Sequence, residues 1–232
     1  MNRNTIILTP AQAREAVCRD FRQYPPQLLL FSGLIRLVTQ GRVKYARDNN
    51  RPGLWISTPS RRNMQWKEGR DLSDYMCTIL NSAPLEPELM AAVCSRVFQT
   101  RAQAVVDENG YPAIHIPTGM ETFHCTQCGQ CCRILDYHAE VTKEDVARWR
   151  SQGRDDVLQW VAGVGTGSPA TGYRIWVIPG TSRMAEVCPF LKQVGGQNRW
   201  QCAIHDVKPR ICRQYPATRK HGLMTGCRGF AV

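Results

Sequence analysis

The chain has 232 residues, 30 lysines and arginines against 19 acidic residues, a formal charge of +11, and eleven cysteines. That length holds one large domain or two small ones with a true apolar core, and no apolar run reaches the ~20 residues that span a bilayer. The basic charge is spread as +5 over residues 1–118 and +6 over 119–232, so no basic arm marks a dedicated nucleic-acid binder.

Residues Met1 to Leu8 carry neither the apolar core nor the small-residue cleavage site of a signal peptide, so the chain is expected to be soluble and cytoplasmic. Thr9-Pro10-Ala11-Gln12 spells an N-cap, a proline at the first helical position and a capping-box glutamine. The helix they open runs to about Tyr24, where Pro25-Pro26 stops it. A second helix over Leu28–Thr39 ends near Gly41. Residues 41–71 are basic and aromatic, with Arg42, Lys44, Tyr45, Arg47, Arg51, Trp55, Arg61, Arg62, Trp66, Lys67 and Arg70. Arginines on phosphates and tryptophans on bases would make this a nucleic-acid surface. With no recognisable binding motif, the segment reads instead as a solvated connection anchored by two tryptophans.

Leu72, Tyr75, Met76, Ile79 and Leu80 fall on one face of a third helix, and Pro87 opens a fourth with Met90, Val93, Cys94 and Val97 on its apolar face. Cys18, Cys77 and Cys94 sit singly in these helices and read as core residues. A turn at Asn109-Gly110-Tyr111-Pro112 and an extended piece, Ala113 to Pro117, lead to a domain boundary near residue 118.

Beyond it, Thr142-Lys-Glu-Asp145 begins a helix through Val146 and Trp149. A further helical piece covers about Asp155–Ala162, and Tyr173 to Ile178 reads as a strand. The loop Gly163-Val-Gly-Thr-Gly167 follows a predicted helix with no acidic lead-in, so it reads as a connector and not as a nucleotide or S-adenosylmethionine pocket. The expected fold class is α+β, mainly helical: a helical N-terminal domain over residues 1–118, then a small irregular metal-stabilised domain over 119–232.

Eight cysteines fall in that second half. Cys125-x-x-Cys128-x-x-Cys131-Cys132 forms one run, and Cys188, Cys202, Cys212 and Cys227 follow singly. Thiolates at i, i+3 and i+6 can converge on one point, the spacing of loops that wrap zinc or an iron–sulfur cluster. In a reducing compartment such clustering favours metal over disulfides, and an odd total fits complete pairing poorly. Cys125, Cys128 and Cys131 are therefore expected to share one centre. Adjacent Cys131 and Cys132 point in different directions, so one of them is free to serve another. Eight thiols suffice for two four-sulfur sites, for one cluster plus a zinc, or for one centre with spare thiols. His124, His138 and His205 read as surface or supporting histidines, and Arg213 as a counter-charge for bound thiolates.

The run Cys125–Cys132, Cys188-Pro-Phe-Leu and Cys202-x-Ile-x4-Lys-Pro-x-x-Cys212-Arg-x-Tyr-Pro resemble the CxxCxxCC family of zinc- or iron-chelating proteins, mostly bacterial, over about residues 124–229. Lys208 stands where that family usually has arginine. The resemblance implies metal binding through Cys125, Cys128, Cys131, Cys132, Cys188, Cys202, Cys212 and Cys227, as a 4Fe–4S cluster or zinc. A related group, the flagellin lysine N-methylases, is similar in its cysteine pattern and implies S-adenosylmethionine-dependent methyl transfer to protein lysine as an enzyme reading, beside redox chemistry. The binding-module rival is a zinc-stabilised protein that contacts nucleic acid through residues 41–71. Otherwise the expected partner is a protein or small-molecule substrate, and no membrane.

Overall fold

In the computed structural model, which describes residues 4–58, 61–82, 85–139, 141–165, 170–195 and 199–230, the chain divides into two compact units, Met1–Glu121 and Thr122–Val232. Among the described residues, no helix is long and apolar enough to cross a membrane.

The first unit opens with a strand the sequence did not announce, β1 (Thr5–Leu8), followed by α1 (Pro10–Gln23). Gln12 N donates to Thr9 Oγ1 at 3.2 Å, and Thr9 N donates to Gln12 Oε1 at 2.9 Å. This reciprocal cap satisfies two of the amides that a helix start leaves free. α2 (Leu28–Thr39) ends where Gln40 turns left-handed at φ 53°.

Residues 41–71 are not a solvated connection. They carry a three-stranded antiparallel sheet of β2 (Tyr45–Arg47), β3 (Gly53–Thr58) and β4 (Arg61–Glu68), in that order. Among the described residues, Leu54 and Ile56 are its buried apolar side chains. An apolar alternation only two residues long, set among charges, is too short to announce a strand. Trp55 and Trp66 pair in register across β3 and β4, with ring centroids 5.4 Å apart at 61°. The Arg51 guanidinium lies 4.1 Å over the Trp66 ring. A Cβ on Gly53 would come within 2.6 Å of that ring, so only glycine lets the indole lie this close to the strand.

α3 (Gly69–Asn81) and α4 (Pro87–Val97) complete the helices of this unit. Val17, Phe21, Leu72, Met76, Leu80, Met90, Val93 and Val97 interlock in its core, and Phe21 meets Phe31 edge-on at 4.8 Å. β5 (Gln103–Val106) and β6 (Pro112–Pro117) form a hairpin, and β6 pairs with β1 on its other edge to give the order β1-β6-β5. Asp107 Oδ1 accepts from Asn109 N and Tyr111 N in the connecting turn, where Gly110 has φ 83°.

Cys18, Cys77 and Cys94 are buried free thiols of this core. Cys18 and Cys77 are neighbours rather than isolated, since Cys77 Sγ lies 3.8 Å from Cys18 O. Burial, followed by the contact with Cys77, pushes the Cys18 thiol up to about 12, and burial pushes Cys94 up to about 12. Both stay protonated and poor as ligands. Replacing all three with alanine is expected to leave the metal content of the protein unchanged while costing about 1 kcal/mol per site in stability. Elemental analysis alongside thermal denaturation checks this, and lost metal would place a ligand in the first unit.

The second unit holds α5 (Gln130–Ile134), α6 (Lys143–Ser151) and α7 (Asp155–Leu158), then the antiparallel pair β7 (Val161–Val164) and β8 (Gly172–Ile175). The helical piece expected to reach Ala162 thus stops at Leu158, and Val161-Ala162 open a strand. β8 ends three residues earlier than the sequence suggested, because Trp176 adopts φ 58°. Gly163 and Gly165 belong to the hairpin arm, and Thr166 and Gly167 lie outside the described residues. A second pair, β9 (Leu191–Gln193) with β10 (Trp200–Cys202), is followed by α8 (Arg210–Gln214) and α9 (Arg219–Met224). Val146, Trp149, Val157, Ile175, Trp176, Ile204 and Val207 form its own core. With 40% helix and 22% strand among the described residues the fold is α+β, and its sheets dilute the helical majority expected from sequence.

Candidate metal centre

The site is built outward from α6. Thr142 caps that helix reciprocally with Asp145, whose side chain is 2% exposed. The same carboxylate accepts from Arg210 N at 3.0 Å on each oxygen and from Arg148 Nη2 at 3.1 Å. Arg148 Nη2 also donates to Lys208 O at 2.7 Å, and Trp149 Nε1 donates to Val207 O at 2.8 Å. These bonds fix the segment Val207–Arg210 against α6, set the start of α8, and so place Cys212 within it. Arg213, expected to offset thiolate charge, pairs with Asp145 at 3.5 Å. Lys208 also faces the thiols, and its charge favours the ionised forms of Cys131, Cys202 and Cys212.

The cysteine run is shaped by Gly129. Its φ of 67° lies in the left-handed region, and a Cβ there would meet the Trp200 side chain at 2.9 Å. Trp200 N donates to Gln127 O at 2.7 Å, and the Arg133 guanidinium stacks 4.0 Å over the Trp200 ring. The β9–β10 hairpin is thereby held against the run. Cys188 N donates to Cys132 O at 3.0 Å, and Cys202 pairs with Leu191 across the hairpin. Distant parts of the sequence are thus brought to α5.

Cys131, Cys132, Cys188, Cys202 and Cys212 line one cavity of about 90 Å³, together with Tyr137, Trp176, Lys208 and Tyr215. The Sγ atoms of Cys131 and Cys132 are 3.9 Å apart. The bond with Cys132, then burial, raises Cys131 far above an ordinary thiol. For Cys132 the contact with Cys131 lowers the value, but the bond with Cys188 and burial outweigh it and hold the thiol at about 12. Burial raises Cys212 as well, reinforced by Cys132, Cys202 and Cys131. Charging several of these sulfurs together is costly without a cation among them.

Cys125, Cys128 and Cys227 are not among the residues that line this cavity. Gly229 N donates to Cys227 Sγ at 3.4 Å, and the acidity of Cys227 is weakened by burial and by the charges of Cys128 and Cys131. Cys128 lines a separate surface hollow with Arg133, Trp200 and Arg228, and Cys125 is exposed. Because α5 begins only at Gln130, Cys131 is helical while Cys125 and Cys128 precede the helix. Among the described residues, no three Cys, His, Asp or Glu side chains stand at the spacing a single ion requires, and all eight thiols are free. His124 and His205 are exposed, and His138 lines the cavity with its Nδ1 donating to Ile175 O at 2.8 Å.

Two residues here escaped the sequence reading. Asp145 registered only as an acidic first-turn residue, although its pairing with Arg210 spans 65 positions. Tyr137 carried no signal at all, yet its buried hydroxyl has no hydrogen-bond partner among the described residues and its ring lines the cysteine cavity. Five soft sulfur donors around a cavity and an orphaned phenol on its wall suit a thiolate-bound metal.

Residues 124–228 match the family profile CxxCxxCC, described as "Putative zinc- or iron-chelating domain". The matched segment contains all eight clustered cysteines and supports a cysteine-rich, metal-binding domain. Searches of curated proteins and of solved structures found no match.

Proposed function

We propose that the second unit chelates metal through two adjoining thiol sets, and that the set around the cavity carries an iron–sulfur cluster. The single observation behind this reading is the cavity walled by five sulfurs. At about 90 Å³ the cavity is larger than a single ion needs, whereas a closed tetrahedral zinc site holds its sulfurs at about 2.3 Å from the ion. Cys132, Cys188, Cys202 and Cys212 form the cavity set, since Cys132 reaches Cys188 and Cys212 lies under the charges of Cys132 and Cys202. Cys227, under the charges of Cys128 and Cys131, closes the other set with them and with Cys125.

Such a centre, once bound, supplies one-electron chemistry. The chain's own contribution is to hold the four sulfurs, wall them with Trp176 and Tyr137, and set Lys208 against their negative charge. Anaerobic purification with elemental analysis, sulfide assay and an absorption spectrum tests the reading. Iron, inorganic sulfide and a broad visible absorption are expected. A colourless protein with stoichiometric zinc and no sulfide would replace the cluster by a structural zinc module.

A further inference from the structure

We infer that Tyr137 is a positioning residue for the sulfur centre: its phenol donates a hydrogen bond to a cavity thiolate when that centre is formed. The inference rests on the cluster reading above. Its basis is the orphaned hydroxyl, which is buried, lines the cavity and finds no acceptor among the described residues. A buried O–H of this kind is costly unless an acceptor is supplied. The cavity contains the acceptors in latent form, because a thiol accepts weakly whereas a metal-bound thiolate accepts strongly.

The aim of the ring is fixed by its surroundings. The next residue, His138, is tied twice to β8: Ile175 N donates to His138 O at 2.9 Å, and His138 Nδ1 donates to Ile175 O at 2.8 Å. The Tyr137 ring also meets Tyr215 edge-on at 6.0 Å. Tyr215 offers a contrast, since its own hydroxyl already has a partner in Thr225 Oγ1 at 2.7 Å.

Hydrogen bonds to cluster sulfurs favour the reduced, more negative state, so losing one lowers the potential. The test compares full-length wild type with Tyr137→Phe, each reconstituted anaerobically with ferrous iron and sulfide. Equal iron and sulfide contents are expected, with a tenfold loss of preference for the reduced form, which is 59 mV for one electron. The sulfur-to-iron absorption should move to lower energy in the variant, a change that ring packing alone would not cause. Equal potentials and spectra overturn the inference, as does a variant that loses its fold by circular dichroism, which would make the hydroxyl structural. Wild type that builds no iron chromophore fails at the earlier step and removes the cluster reading itself.

Discussion

Serine at Cys212 is expected to abolish iron loading of the cavity set and to melt the second unit well below its wild-type transition. Cys212 lies within α8, and its thiol is raised by burial and by Cys132, Cys202 and Cys131, so it stands among the other sulfurs. Serine offers a harder, far less acidic donor that soft metals do not accept. Structural metal sites contribute on the order of 10 kcal/mol to folding, so removing one of four ligands takes away several. The first unit has its own core and no ligand in the proposed sets, so its transition should stay in place. Calorimetry with metal analysis separates the two effects. A Cys212→Ser protein that keeps its full iron and both transitions would remove Cys212 from the centre. Cys125→Ser, at the exposed end of the other set, should spare the cavity iron.

Alanine at Asp145 should destabilise the second unit by about 3–5 kcal/mol, the range for breaking a buried charge pair from one side. Its carboxylate, 2% exposed, takes bonds from Arg210 N, Arg148 and the Thr142 cap and pairs with Arg213. Truncation leaves Arg148, itself only 26% exposed, without its carboxylate and frees the start of α8. Cys212 then loses its fixed position, so metal loading should fall along with stability. Asp145→Asn, which keeps the shape and an acceptor but not the charge, should lie between the two. Chemical denaturation with a parallel iron assay reads both quantities. Loss of stability with fully retained metal would show that the α6–α8 clamp does not position the thiol.

Signals confined to a short stretch of chain were legible beforehand. The caps at Thr9 and Thr142 involve residues three apart, and the helices through Leu72 and Pro87 repeat an apolar face over several turns. Strands whose stability comes from partners elsewhere were not. β1 has four residues and is completed by β6 more than 100 positions away, and β3 turns Leu54 and Ile56 to the core. The cysteines divide in the same way. Their spacing announces a thiol-rich centre, but which sulfurs face each other depends on Cys188 N reaching Cys132 O and on Trp200 N reaching Gln127 O. Local spacing groups Cys125, Cys128 and Cys131, but it does not show that the helix starts at Gln130 and takes in Cys131 while Cys125 and Cys128 precede it.

The 3.9 Å between the Cys131 and Cys132 sulfurs would couple the two proposed thiol sets. At an effective dielectric constant of 20, two unit charges at this range repel by about 4 kcal/mol. Ionising one sulfur therefore opposes ionising the other. Four thiolates outweigh the charge of a dication, so in the proposed arrangement the set that fills first stays negative and opposes ionisation of its neighbour. The two sets would then load one after the other, at separate concentrations of metal.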